Sequence, residues 1–197
     1  MKYGNRTEVI TDATGRIRSY DLDSGKPLWD CGPLTANVIP SPVGINGMVY
    51  CMSGFRGNQL FAIKLGHNGD LTGTDAIAWK HDKSTPYVPS PLLTADLLYF
   101  FAGNNGMLSC FDAKTGKANF EGERIEALKG VYSSPVAADG KVYLIGRNGA
   151  TVVLKEGAKL DILATNKLED GFDASPAIAG NQLFLRGREN LYCLAEK

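Results

Sequence analysis

One short phrase recurs along this chain and constrains its fold more than anything else in it: Ser-Pro, a turn, then apolar residues closing on an aromatic. Ser41-Pro42 leads to Met48-Val49-Tyr50, and Ser90-Pro91 to Leu97-Leu98-Tyr99. Ser134-Pro135 leads to Val142-Tyr143, and Ser175-Pro176 to Leu183-Phe184. Strand-like pieces repeating at about 40–50 residues are the signature of propeller blades. A propeller is a scaffold that hosts unrelated sites, so the repeat speaks to architecture before function.

Each repeat reads as four strands. Strand A holds the Ser-Pro and a few small or apolar residues, such as Pro135-Val136-Ala137-Ala138. The turns Asn46-Gly47 and Asp139-Gly140 follow, and both dipeptides favour a tight hairpin because their residues tolerate positive φ. Strand B runs over Met48 to Met52, Leu97 to Phe101, Lys141 to Ile145 and Gln182 to Arg186. Strand C, seen at Met107 to Phe111, runs into Asp112-Ala113-Lys114-Thr115-Gly116-Lys117 and strand D at Ala118-Asn119-Phe120. The passage from Asp21 through Gly25 to Trp29 has the same form. In such a turn the Asp bonds backbone amides and the Gly supplies the left-handed corner. The closing aromatic (Trp29, Trp79 or Phe120) is expected to cover the gap to the next blade. No segment sustains a 3.6-residue period, so almost no helix is expected.

The expected fold is therefore all-β: an incomplete β-propeller of four-stranded antiparallel blades, one domain over 1–197. It divides into a partial blade at 7–30, blades at 38–80, 87–121 and 131–165, and a partial blade at 172–197. The first has B, C and D without a Ser-Pro strand; the last has A, B and C. Opening a ring bares one apolar face at each end. If each face holds about 400 Å², leaving both wet forfeits on the order of 10 kcal/mol apiece. That rivals the stability of a typical domain. The chain is thus expected to need the remainder of a longer propeller, or a second copy.

The 21 basic and 21 acidic side chains cancel, which argues against a nucleic-acid partner. No apolar run reaches the ~20 residues of a membrane span. The segment Met1 to Arg6 contains no signal-peptide core. Cys31, Cys51, Cys110 and Cys193 are dispersed and form no C-x-x-C, so buried apolar thiols are a better reading than disulfides or a metal site.

The Asp-x-x-Thr/Ser-Gly-Lys-x-x-aromatic passages at Asp21 to Trp29 and Asp112 to Phe120, followed by Ser-Pro strands, resemble the pyrroloquinoline-quinone (PQQ)-like propeller repeat. The resemblance runs from Thr7 to Cys193 and implies about half of an eight-bladed ring. It also implies a bacterial, periplasmic or exported setting. The family includes PQQ- and calcium-dependent alcohol dehydrogenases. It also includes cofactor-free members such as the periplasmic lipoprotein of outer-membrane barrel assembly. This chain departs from the enzyme branch: it has no adjacent cysteine pair, and no match to the Glu, Asn and Asp that hold calcium or to the further Asp base. Lys155-Glu156-Gly157 also stands where the Asp-x-x-Thr-Gly turn belongs. The expectation is a module without catalytic residues, metal or cofactor that binds a protein or small ligand. A quinoprotein dehydrogenase fragment with PQQ and calcium is the alternative, and a carbohydrate-binding propeller a second.

In a propeller the B-to-C and D-to-A connections share one face at the channel mouth. They carry Arg56, Asn104, Asn105, Arg147, Asn148, Arg186 and Arg188, with Tyr87, Tyr132, Phe172 and Asp173 just ahead of the Ser-Pro strands. Recurring arginines are suited to an anionic group or a partner's carboxylates. The aromatics are suited to an interface or a sugar ring. The bland alternative is solvated turns. His67 and His81, read as loop residues, lack a partner nucleophile. Asn68, Asp70, Thr72 and Gly73 follow a calcium-loop spacing, but its twelfth position falls on Trp79 rather than Glu, so a polar turn is the better reading.

Overall fold

The computed structural model describes residues 1–195, so the last two residues of the expected 172–197 blade lie outside the described residues. The regular elements are strands, arranged in five sheets. No helix is long and apolar enough to cross a membrane.

Sheet 1 holds β1 (Lys2–Tyr3), β2 (Arg6–Ala13), β3 (Arg16–Asp21) and β4 (Pro27–Cys31). Sheet 2 holds β5 (Val43–Ile45), β6 (Met48–Ser53), β7 (Gln59–Lys64) and β9 (Ile77–His81), while the intervening β8 (Gly69–Asp70) crosses to pair in parallel with β4. Sheet 3 is β10 (Leu92–Leu93), β11 (Leu97–Ala102), β12 (Met107–Asp112) and β13 (Ala118–Arg124). Sheet 4 is β14 (Val136–Ala138), β15 (Lys141–Ile145), β16 (Ala150–Lys155) and β17 (Ile162–Lys167). Sheet 5 is β18 (Ala177–Ala179), β19 (Gln182–Arg186) and β20 (Leu191–Ala195). Consecutive strands pair antiparallel within each sheet, the A-B-C-D order expected of blades.

Three details differ from expectation. Strand A begins after the Ser-Pro, not on it, because proline has no N–H to give a ladder. Lys2–Tyr3 pairs with Arg6 and Thr7, so sheet 1 has a short leading strand before Thr7. His81 closes strand β9 and is not a loop residue; its Nε2 lies 3.2 Å from Glu121 Oε1 of the next sheet. The hairpin turns are as read. Asn46 and Gly47 have φ of 52° and 77°, and Asp139 and Gly140 have 50° and 66°.

The sheets stack face to face, each on the next. Ile17, Trp29 and Cys31 of sheet 1 meet Val49, Cys51 and Phe61 of sheet 2. Tyr50, Met52 and Leu60 then meet Leu98, Phe100 and Phe111 of sheet 3. Tyr99, Phe101 and Leu108 meet Val142, Leu144 and Val152 of sheet 4. The last interface is smaller, with Ile145 against Phe172 and Leu185. Burying a side chain of this size stabilises by about 1.5–3 kcal/mol, so these interfaces hold the arc together.

Two hydrogen-bond series explain the repeated phrase. Ser41 N–H donates to Ser90 Oγ at 2.9 Å, Ser90 N–H to Ser134 Oγ at 2.9 Å, and Ser134 N–H to Ser175 Oγ at 2.8 Å. Each Ser-Pro serine thus ties its blade to the next. Two of the aromatics that end the Ser-Pro phrase, Tyr50 and Tyr99 of the second strands, also tie their blades to the next. Tyr50 Oη donates to Ala113 O at 2.9 Å, and Tyr99 Oη both donates to Gly157 O and accepts from Gly157 N–H at 2.8 Å. Trp79 Nε1 also donates to Ala113 O, at 3.0 Å. Trp29 instead donates within its own sheet to the buried Glu8, at 2.7 Å.

The insertion that mimics a calcium loop is a clasp on sheet 1. Leu71 is buried in the core between sheets 1 and 2, and its N–H donates to Asp30 O at 2.8 Å. Arg16 bridges Asp30 at 2.7 Å and Asp70 at 3.1 Å, and Arg6 reaches Asn68 Oδ1 and His67 O, both at 2.9 Å. Hydrogen bonds from Thr72, and then Arg16, hold the Asp70 carboxyl down at about 2. Asp70 already serves a cationic neighbour inside the chain.

Candidate functional site on the loop face

The B-to-C turns and D-to-A connectors are bonded to each other by their backbones. Tyr87 N–H donates to Gly103 O at 3.4 Å, Val131 to Asn104 O at 2.9 Å, Arg147 to Gly130 O at 2.9 Å and Arg188 to Gly171 O at 3.0 Å. This places the candidate residues on one face, where they fall into three groups.

The first group is structural. Asn104 Oδ1 accepts from Val88 N–H at 3.2 Å, and Asn105 Oδ1 accepts from Met107 N–H at 3.1 Å. Asn148 accepts from Lys129 N–H at 3.2 Å and donates to Ala127 O at 3.0 Å. Their amides are committed to turn backbone. Phe172 is fully buried against Ile145 and Leu185, so its expected place at the ligand surface is corrected. The apolar gap between sheets 4 and 5 takes the ring instead.

The second group joins sheets 4 and 5. Asp173 accepts from Arg147 Nε at 2.5 Å and from Arg188 Nη2 at 3.1 Å. Partial burial opposes its ionisation, yet the two guanidinium groups outweigh it and hold the carboxyl below the usual range. The Arg147 guanidinium also lies 4.2 Å from the Tyr132 ring centroid. Beside them Asp170 accepts from the amides of Gly171 (2.7 Å), Arg188 (3.1 Å) and Asn190 (3.1 Å), which outweigh desolvation and keep it ionised. A Cβ on Gly187 would collide with the Asp170 carboxylate, so this turn requires glycine. Arg186 Nε turns back to Gly187 O at 3.1 Å. Here two arginines of the expected cradle, Arg147 and Arg188, already share one counter-ion, Asp173.

The third group lies between sheets 2 and 3. Phe55 stacks on Tyr87 with centroids 4.8 Å apart and rings 25° from parallel, and Arg56 caps Phe55 at 5.2 Å. Tyr87 Oη accepts from Asn37 Nδ2 at 2.7 Å. Phe55 and Asn37 were not singled out from sequence, although Phe55 adjoins the flagged Arg56. Asp170 was also missed; its one signal was the Asp-Gly that precedes Phe172.

Among the described residues no group of three or more His, Cys, Asp or Glu is placed to hold a metal ion. Cys31, Cys51 and Cys110 are buried free thiols, and Cys193 is exposed.

Comparison with known proteins agrees with this architecture. The family model described as outer membrane protein assembly factor BamB matches residues 2–197. A quinoprotein ethanol dehydrogenase of Pseudomonas aeruginosa is 31% identical over 113 residues, which are 53% of this chain and 17% of that enzyme. The chain thus spans far less than the length of this curated relative. Among solved structures, the computationally designed Ika8 protein superposes with a TM-score of 0.73 at 11% identity, over 99% of this chain and 57% of that one. BamB from Moraxella catarrhalis gives 0.54 at 16% identity, over 96% and 69% of the two chains. The designed Ika4 protein gives 0.63 at 13%, over 87% and 98%. Identities this low speak to fold alone. The match along nearly the whole sequence does more: the chain belongs to the PQQ-like propeller family described as outer membrane protein assembly factor BamB.

Proposed function

We propose that this chain is a binding and scaffold module of the PQQ-like propeller class, without chemistry of its own, that holds a protein partner on its loop face in an exported bacterial setting. The observation that carries the reading is the pair of aromatic–arginine assemblies on one face, Phe55-Arg56-Tyr87 and Tyr132-Arg147. Tyr and Arg are enriched in the few residues that dominate protein interfaces, and rigid turns present them here at little entropic cost. The family's description as an assembly factor supports a protein partner.

The quinoprotein relative keeps a second reading in play. Against a PQQ-and-calcium centre, Asp173 and Asp170 on this face already face arginines and amides, and the thiols are separate. Sugar stacking fits poorly too, because Phe172 is buried and Arg147 covers a face of Tyr132.

The test is an array of immobilised peptides of graded charge and aromatic content, probed with the chain and with a Tyr87→Ala/Tyr132→Ala variant checked by thermal melting. Wild-type binding that the variant loses is expected. A blank array, or binding indifferent to both substitutions, would sink the proposal. Dye-linked ethanol oxidation after adding PQQ and calcium is expected to stay at background, and turnover would favour the enzyme.

A further inference from the structure

Resting on that loop-face reading, we propose that the docking focus is the Arg56–Phe55–Tyr87 stack between sheets 2 and 3, and that it receives an acidic side chain of the protein partner on the Arg56 guanidinium. Charge accounting separates this arginine from Arg147 and Arg188, and ring contact separates it from Arg186, whose Nε turns back to Gly187 O. Arg147 and Arg188 share Asp173 and are internal ties between sheets 4 and 5. Arg56 is exposed and meets no carboxylate among the described residues; its one contact of note is the Phe55 ring beneath it.

The backbone around the stack singles out the same place. Among the described residues five non-glycine residues have positive φ, and two of them, Asn46 and Asp139, sit in hairpin turns that require it. Those turns lie with the C-to-D turns, as the bonds from Leu65 N–H to Gly47 O and Glu156 N–H to Gly140 O show. The other three are Asn37 (53°), Arg56 (53°) and Ser84 (51°), in the connections that meet at the stack. Left-handed backbone at such residues is unfavourable and tends to gather at binding sites. Here it is pinned. Asn37 N–H donates to Thr14 Oγ1 at 3.0 Å, Thr85 N–H to Asn58 Oδ1 at 3.0 Å, and Thr85 Oγ1 to Ser53 O at 2.7 Å.

The chemistry left open defines the partner. The Phe55 ring already contacts both the Arg56 guanidinium and the Tyr87 ring, which argues against a sugar ring as its occupant. Tyr87 Oη accepts from Asn37, which leaves its own proton to give. What the exposed Arg56 presents is a planar fork of N–H donors. A carboxylate accepts from two guanidinium N–H groups in one plane, and a ring-stacked guanidinium has less freedom to lose when it does.

The experiment uses the same array with every acidic peptide paired to its Asn or Gln counterpart, probed with the whole chain and its Arg56→Ala, Arg56→Lys, Arg56→Gly, Arg18→Ala and Tyr132→Ala variants. The amide swap and Arg56→Ala are each expected to weaken binding about tenfold or more, with Arg56→Lys intermediate. Arg56→Gly relaxes the backbone, so it should lose binding without losing melting temperature. Arg18→Ala, which removes an exposed arginine of strand β3 in sheet 1, should stay within about twofold on peptides that Arg56 governs. Peptides that tolerate both the amide swap and Arg56→Ala, but are lost on Tyr132→Ala, would overturn this inference and leave the loop-face reading standing. A blank array would overturn both.

Discussion

At the scale of single residues, Asp12 is the least expected side chain in the fold. Aligning the second strands by their first pairs (Glu8 with Asp21, Met48 with Lys64, Leu97 with Asp112, Lys141 with Lys155) puts Asp12 level with Met52, Phe101 and Ile145. A carboxyl thus occupies a position that sheets 2, 3 and 4 fill with an apolar core residue. Both of its oxygens are cut off from water; the Cys51 thiol and Met52 N–H ease that burial without making a well-aligned hydrogen bond. Burial therefore pushes Asp12 up to about 7. The folded protein holds a proton that the unfolded chain releases near 4, so stability from this group is greatest below about 4 and is lost as pH rises to about 7. At about 1.4 kcal/mol per tenfold change in proton concentration, the loss is on the order of 2–4 kcal/mol. In a chain of this size that lowers the melting temperature by roughly 4–12 °C between pH 5 and pH 8. Asp12→Leu and Asp12→Asn should both flatten the dependence, and Asp12→Leu should melt higher than wild type at pH 8. Equal slopes in all three proteins would refute the account. Neither Asp12 nor the special place of Arg56 was legible in the sequence. Arg56, Arg147 and Arg188 look alike as turn arginines, and only the fold shows that an acid one blade away, Asp173, occupies two of them.

At the scale of the element, the bonds between blades give the repeat its meaning. Tyr99 Oη makes two bonds with Gly157, whereas Tyr50 Oη makes one with Ala113. Tyr99→Phe would strand the Gly157 N–H as well as lose the donated bond, at a cost of about 1–3 kcal/mol. Tyr50→Phe should cost about 0.5–1.5 kcal/mol, since Trp79 Nε1 still serves the Ala113 carbonyl. Urea unfolding of the two variants checks the order, and equal losses would show that the Gly157 amide finds another partner. The sequence revealed these tyrosines and serines as a repeat, together with the strand order and both hairpin turns. It did not reveal which blade each side chain serves, because a period fixes spacing along the chain and not contact across it. It also hid β1, two residues too short to show alternation, and β8, whose Gly-Asp reads as turn. The role of the insertion follows from Leu71 finding the core between sheets 1 and 2, a tertiary contact without a local signal. His81 was misread for a related reason: strand D of that blade extends past Trp79, where the motif ends.

At the scale of the molecule, the stacking is directional and its two outer faces differ from the inner ones. Sheets 2, 3 and 4 are covered on both sides by apolar clusters. Sheet 5 is half-covered: Leu183 and Leu185 turn toward sheet 4, while Leu191 is 70% exposed and Cys193 shares its outward side. Val9 of sheet 1 is also exposed on the side away from sheet 2. Exposed apolar surface of this kind marks a contact, and we propose that further blades or a second copy cover it in the working protein. The serine series points the same way: Ser175 offers a backbone N–H and Ser41 a hydroxyl oxygen where the next members would bond. Cys193 reports directly on this face. In the dilute chain its thiol should react with a maleimide at a rate near that of a free thiol. Cys31, Cys51 and Cys110 should remain unlabelled until the fold is opened by denaturant, so mass spectrometry should find one adduct and then four. Slower labelling as concentration rises would identify a second copy as the cover. Protection only within a longer parent chain would identify further blades. Two or more adducts under native conditions would mean that the inner interfaces are open, and Cys193 protected even at high dilution would mean that sheet 5 does not present this face.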